Sequence, residues 1–434
     1  MPWSLTAHFT PYFIPLPMNK MYALALALSA GTTPLAAQAQ EGRAALPTTR
    51  RACGTMEVFE AQLAADPSLA QRVAAVEAHT KQVLAQPALQ RGMGATVIIP
   101  VVVHVLYNTA AQNISDAQVQ SQIAVLNEDF RKLNADVSQT PAAFAGLAAD
   151  ANIQFVLAKR SPTGAATTGI IHKSTRTTSW TTSDAVKSSK RGGDDAWDAT
   201  KYLNLWACNL GQGLLGYAQF PGGAASTDGV VILYSAFGSR AKYAAGTYTT
   251  TYDLGRTATH EVGHWLNLRH IWGDASCGND LVSDTPTQQT SNYGCPAYPH
   301  VTCANQGDMS MNYMDYTDDR CMYMLSTGQS SRMNALFATG GARVGLLTSL
   351  GGTVPRLMAS TTANFYPNPA TEVLNIALTT PATAVRVFDL SGHEMPQARY
   401  NGHGQVQVSA LPKGLYYLTL TNGTEVTHQR FEKE

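Results

Sequence analysis

Hydrophobic and polar positions divide the chain into three textures. From Arg50 to about Gly94, Val58, Phe59, Leu63, Leu69, Val73, Val76, Val83 and Leu84 recur with helix-like spacing. This predicts a helical segment or hairpin, rich in Ala and Gln, with little material for a core of its own. The texture then changes. Val97 to Tyr107 is β-branched and nearly continuous, the pattern of a buried strand. Ser115 is placed to cap a helix over Asp116 to Asn134, with Val119, Ile123, Leu126 and Phe130 on one face. Ile153 to Lys159, Lys201 to Leu210 and Gly229 to Tyr234 read as three more strands. A helix before the second strand and a long one after the sheet predict a mixed α/β domain over residues 96–350. Gly351 to Pro355 and Ala359 to Ala363 are small and polar, marking a linker over 351–363. Beyond it, Val373 to Ile376, Ala384 to Phe388, Gln405 to Val408 and Gly414 to Leu420 are short strands separated by turn residues. A small all-β sandwich over 364–434 follows.

The N-terminus adds an export signal. Lys20, the apolar run Met21 to Ala30 and the small residues of Ala37-Gln38-Ala39 predict a signal peptide over 1–39. Met18 fits the start of translation better than Met1. The helical segment, 40–95, then reads as a pro-segment. The apolar run is shorter than the roughly 20 residues a bilayer requires, so no transmembrane segment is expected in the mature protein.

Charge sharpens this picture. The 434 residues carry 30 Lys+Arg against 30 Asp+Glu, so there is no basic footprint for nucleic acid. At 44% hydrophobic the chain has material for a sizeable core. Only 14% of residues are charged, well below the roughly 25% of ordinary soluble domains. Ala, Thr, Ser, Gly and Asn fill the gap, a texture commoner outside cells.

The chemistry lies in Thr259-His260-Glu261-Val262-Gly263-His264-Trp265-Leu266-Asn267-Leu268-Arg269-His270. Two histidines four apart share one helix face and can bind one Zn²⁺. Glu261 beside the first is placed to accept a proton from a zinc-activated water. His270 lies six residues past His264, too far round an unbroken helix, so the helix must end between them. Asn267 tolerates the positive φ that such an ending needs. Structural zinc sites usually have four protein ligands and are Cys-rich, whereas three histidines leave a position open.

On these residues the chain resembles the metzincin clan of zinc metallopeptidases, with its H-E-x-x-H-x-x-G/N-x-x-H signature and later Met-turn. The Met-turn match is Asn312-Tyr313-Met314-Asp315-Tyr316. Within the clan it resembles the pappalysin (cytophagalysin) family, through His260 to Gly273, Asn209 to Gly222 and Asn312 to Met322. The resemblance covers about residues 50 to 340. Asn267 stands where Gly is commoner. It implies a metzincin-like catalytic domain: a mixed twisted sheet, an active-site helix and a loop-rich C-terminal subdomain. It also implies Met314 beneath the metal and Tyr316 steadying the transition state. An extended peptide substrate would add to the edge strand Leu214-Leu215-Gly216-Tyr217-Ala218. The expected activity is a secreted zinc endopeptidase acting on protein or peptide substrates. A zinc-containing adhesin and an amidohydrolase on a non-peptide substrate are the competing readings; Glu261 speaks against the adhesin.

Six cysteines in an exported chain suggest disulfides. Spacing leaves three pairings open for Cys277, Cys295, Cys303 and Cys321. The resemblance implies Cys277 with Cys303 and Cys295 with Cys321. Cys53, in Arg51-Ala52-Cys53-Gly54-Thr55, matches a Cys-Gly motif of the family's propeptides and is expected to take the open zinc position in a latent form. A Cys53–Cys208 bridge is the alternative; Cys208, in an apolar strand, reads better as a buried thiol. Asp280, Asp284 and Thr285 sit in a loop rich in oxygen side chains and suggest a structural Ca²⁺. Arg320, beside Asp318 and Asp319, is expected to shape the pocket past the scissile bond. Finally, Asn364 to Ala370, Val387 to Gly392 and Leu411 to Tyr416 resemble the C-terminal sorting domain of type IX secretion. That implies the type IX machinery as a partner, and release or attachment at the cell surface.

Overall fold

The computed structural model describes residues 50–86, 95–353, 364–377, 384–390, 392–422 and 425–434. The expected leader, and residues 354–363 of the expected linker, lie outside them.

Residues 50–86 form two helices, α1 (Thr55–Ala65) and α2 (Leu69–Leu84). Pro67 separates them, and Asp66 before it takes an extended conformation at φ −138°, as residues preceding proline tend to do.

The sheet is organised by β1 (Val97–Tyr107), all of which is buried except Ile98 and the part-buried Tyr107. Burial on both faces explains the unbroken apolar run. One edge of β1 pairs in parallel with β2 (Ile153–Leu157) along Val97 to Val101, and then with β3 (Ile170–Ser174) along Val103 to Tyr107. The other edge pairs in parallel with β4 (Leu203–Cys208). On that side the sheet continues to its end strand, β5 (Gly216–Ala218), through β6 (Val230–Leu233), which runs parallel to β4 and antiparallel to β5. Sequence periodicity missed β3, whose last three residues are all polar, and β5 has only three residues.

Helix α3 (Asp116–Phe130) starts where Ser115 accepts a hydrogen bond from the Gln118 amide. It ends four residues before the expected Asn134, because Lys132 turns left-handed at φ +52°. Phe130 packs edge-on to Phe155 of β2. The expected long helix is α4 (Arg256–Trp265), only ten residues and buried throughout. From Leu266 to Ser326 the chain is almost entirely irregular, crossed by the disulfides Cys277–Cys303 and Cys295–Cys321. Helix α5 (Thr327–Asn334) then opens with a reciprocal cap between Ser326 and Gln329.

The C-terminal strands are β7 (Asn364–Tyr366), β8 (Val373–Ala377), β9 (Ala384–Phe388), β10 (Arg399–Tyr400), β11 (Gln405–Gln407), β12 (Gly414–Asn422) and β13 (Glu425–Lys433). They form two antiparallel sheets, β10-β11-β8-β7 and β13-β12-β9. Leu374, Ile376, Val387, Val406, Leu418 and Phe431 belong to their shared core. Tyr416 points into it and Tyr417 outward.

Candidate active site

Helix α4 carries His260, Glu261 and His264 into the interior. Its ending delivers the third histidine. The Leu268 amide returns to the Gly263 carbonyl and the Asn267 amide to the His264 carbonyl, with Asn267 at φ +72°. This Schellman closure reverses the chain and brings His270 back to the other two.

Each imidazole is fixed by its far nitrogen. Nδ1 of His260 donates to the Tyr313 carbonyl at 2.7 Å, that of His264 to the Leu268 carbonyl at 2.8 Å, and that of His270 to the Asp274 carboxylate at 2.5 Å. The Nε2 atoms therefore present lone pairs. That of His264 lies 3.1 Å from those of both His260 and His270. Burial, reinforced by the neighbouring imidazoles, holds His260 and His264 well below the usual histidine range, so both are neutral. The Tyr316 hydroxyl reaches His270 Nε2 at 3.1 Å. The remaining lone pairs converge on one another, an arrangement that a cation satisfies. With Cys53 Sγ the three nitrogens form a set whose atoms all lie within 4.8 Å. Neutral imidazoles with a thiol suit zinc.

Met314 is buried with its sulfur against Gly263 of α4, where a Cβ would lie 2.5 Å from it, so a side chain there would displace Met314. The Met314 amide donates to Asn312 Oδ1 at 2.9 Å.

Residues 52–54 lie along the outer edge of β5. The Leu215 amide donates to the Ala52 carbonyl, and the Gly54 amide to the Gly216 carbonyl, both at 2.9 Å. Of the candidate edge strand, Gly216, Tyr217 and Ala218 form β5, while Leu214 and Leu215 lead into it. The Cys53 thiol donates to Glu261 Oε2 at 3.3 Å and the Thr55 hydroxyl to the same oxygen at 3.0 Å; Thr55 also accepts from the Ala218 amide at 2.8 Å. Burial pushes Glu261 up to about 7, while the Cys53 and Thr55 hydrogen bonds and Arg51 pull it down. Burial, and the Glu261 charge beside it, push the Cys53 thiol upward. Cys53 and Cys208 are both unbridged.

Arg51 is buried and held by three hydrogen bonds and one aromatic ring. It donates to Asp319 at 2.6 Å and to Thr257 Oγ1 and the Thr317 carbonyl at 3.2 Å, and its guanidinium lies over Tyr252. Arg320 is largely exposed and 3.8 Å from Asp318, while its neighbour Asp319 is wholly buried. Of the residues suggested for calcium, Asp280 accepts from the Thr285 hydroxyl at 2.8 Å, and Asp284 accepts from the Ser326 hydroxyl and the Gly328 amide at the start of α5. Sequence reasoning gave no role at the histidines to Arg51, Thr55, Gly263, Asp274 or Asp319. The first two lie two residues to either side of Cys53, which was the available signal.

Known proteins resemble the chain in sequence and in fold. Residues 187–338 match the family described as pregnancy-associated plasma protein-A, and residues 364–434 match the secretion system C-terminal sorting domain. An extracellular metalloprotease of Pyricularia oryzae is 32% identical over 297 residues, spanning 66% of this chain and 88% of that protein. One from Arthroderma benhamiae is 32% identical over 256 residues, spanning 58% and 81%. Among solved structures, mature mirolysin of Tannerella forsythia in complex with a cleaved peptide is 53% identical with a TM-score of 0.57, covering 59% of this chain and 97% of that one. A promirolysin mutant of the same organism is 48% identical with a TM-score of 0.62, covering 68% and 97%. The chain belongs to the pappalysin family of metallopeptidases and ends in a type IX sorting domain. It is a secreted or cell-surface metalloprotease, and the family implies zinc as its cofactor. No helix among the described residues is long and apolar enough to cross a membrane.

Proposed function

We propose that the chain is a zinc endopeptidase of metzincin type, kept latent by its residues 40–95 and carried out of the cell by residues 364–434. The observation carrying this is the convergence of three imidazole Nε2 atoms beside the buried Glu261 of the same helix turn. His260, His264 and His270 would hold the zinc, which when bound supplies a Lewis acid toward a peptide carbonyl and acidifies a water beside it. Glu261 takes the proton from the attacking water and returns it to the leaving amine. The Tyr316 hydroxyl donates to the developing oxyanion. Once residues 52–54 have left it, the edge of β5 pairs with an extended substrate, with Met314 packed against α4 as the floor.

Latency follows from the same contacts. Cys53 and Thr55 occupy Glu261, and residues 52–54 fill the β5 edge where substrate would lie. Cys53 is also within reach of the metal ligands, which supports a cysteine switch. The chamber filled by Arg51 ends in the Asp319 carboxylate. Once vacated, it suits a basic substrate side chain, and it replaces Arg320 as the specificity determinant. Calcium is not part of the proposal.

Processed protein should cleave casein, lose that activity to a zinc chelator and regain it on adding zinc. Glu261→Ala should lower kcat/KM by roughly 10²- to 10⁴-fold with metal content retained. Zinc-independent cleavage, or full activity of the Glu261→Ala protein, would end this reading.

A further inference from the structure

We infer that the seat occupied by Phe59 is, once the pro-segment has left, a substrate subsite selective for aromatic side chains. The inference rests on the peptidase reading above and adds to it a second specificity determinant. Phe59, on α1, meets the ring of Phe220 edge-on, with centroids 5.4 Å apart. Phe220 in turn meets His264 edge-on at 5.5 Å. The guanidinium of Arg269 lies over both aromatic rings, 4.2 Å from the centroid of Phe220 and 5.3 Å from that of Phe59. It also donates to the Met56 sulfur at 3.9 Å. The catalytic domain thus provides a floor in Phe220 and a clamp in Arg269. The pro-segment provides only the guest, Phe59 and Met56.

The physical chemistry of the seat chooses among guests. When the pro-segment departs, Phe220 loses its cover and Arg269 loses one of its two aromatic partners. An incoming aromatic ring restores both contacts, because it is apolar and its face attracts the guanidinium. An aliphatic side chain restores burial but not the cation–π contact. A carboxylate would meet Arg269 but would have to shed water against the apolar face of Phe220. The place of the guest along a substrate follows from the strand. Cys53 lies opposite Gly216, and Phe220 is four residues further on, roughly 13 Å of extended chain. A peptide on this edge therefore reaches the seat with a residue three or four away from the one facing the metal. Arg51 and Phe59 lie on opposite sides of Cys53 in sequence, so the basic chamber and the aromatic seat read different parts of a substrate.

The test uses processed, metal-loaded enzyme and fluorogenic peptides carrying Phe, Leu, Glu or Ala at each of four positions on either side of the cleaved bond. Phe should exceed Ala by roughly tenfold in kcat/KM at one position three or four residues from the metal-facing residue, with Leu between them. The Phe-to-Leu ratio at that position should fall toward one in Arg269→Ala and be partly kept in Arg269→Lys, with metal content measured alongside. Phe59→Ala in the full chain leaves the enzyme itself intact and should speed its activation by limited proteolysis several-fold. Cleavage with no preference at these positions, a preference for Glu, or unchanged activation of Phe59→Ala would overturn the inference alone. No cleavage of any peptide would overturn the peptidase reading and the inference with it.

Discussion

Around the three histidines the interior holds Asp129, Arg256, Asp315, Asp319 and Arg332, all buried and all engaged. The interior of the C-terminal sandwich is instead made of Ala370, Leu374, Val406, Leu418 and Phe431, and Lys433 is the one buried charge among its described residues. Each charge near the metal site fixes an atom. Asp129 holds Thr259 at 2.6 Å, and Arg256 donates to the Tyr313 hydroxyl at 2.6 Å, while the Tyr313 carbonyl orients His260. Arg332 donates to the Asn267 carbonyl at 2.7 Å, at the turn that returns His270, and its other arm pairs with Glu77 of α2. Burying such groups is costly, and what it gains is direction rather than stability. Apolar burial in the sandwich is non-directional and only has to hold two sheets together. One interior fixes the direction of particular side chains, and the other holds two sheets together.

Four experiments probe that contrast, from the largest expected effect to the smallest. Arg51→Ala in the full chain takes the cationic partner from buried Asp319, leaving only the Leu254 and Arg256 amides on its other oxygen, and should weaken pro-segment docking by about 3 kcal/mol. Unprocessed protein would then cleave casein, as would Cys53→Ser; if both stay silent, the latency proposal fails. Next, Leu418→Ala should cost the sandwich about 3 kcal/mol while the melting of the peptidase domain stays put. A shift in both transitions would mean that the two interiors are coupled.

A smaller effect concerns Asp280, which burial raises to about 6 despite its hydrogen bonds from Thr285 and the Val282 amide. Its folded pKa lies above the unfolded value near 3.8, so the folded form holds the proton more tightly. The stability it gives is fully present below pH 3.8 and is lost as pH rises through 6. Asp280→Asn should match the parent near pH 3.5 and exceed it by about 1 kcal/mol at pH 7 in thermal melts. Stabilisation of the parent by added Ca²⁺, absent in the variant, would return calcium to the site. The smallest effect should come from ending the chain at residue 353, with a change of less than about 0.5 kcal/mol in the peptidase domain.

Much of the site was legible because it is local. His260, Glu261, His264, Asn267 and His270 span eleven residues, and their spacing encodes both the helix and its end. The strands that periodicity exposed are the buried ones. What was missed is non-local. Arg51 meets Asp319 across 268 residues, and Thr55 meets Glu261 across 206. No window of sequence contains such pairs. The pair Asp319 and Arg320 shows the same limit, since only the fold decides which of two adjacent side chains is buried. Asp284 caps the start of α5 with the kind of oxygens that coordination also uses, so sequence alone does not separate the two uses.

The two disulfides overlap in sequence, Cys277–Cys303 enclosing Cys295 and Cys295–Cys321 enclosing Cys303. Any single cut between residues 277 and 321 therefore leaves the two halves covalently joined, and a cut between 295 and 303 leaves them joined twice. This stretch is long and almost entirely irregular, the kind of segment in which proteolytic nicks concentrate. Interlacing turns one such nick from a severing event into a tolerated scar.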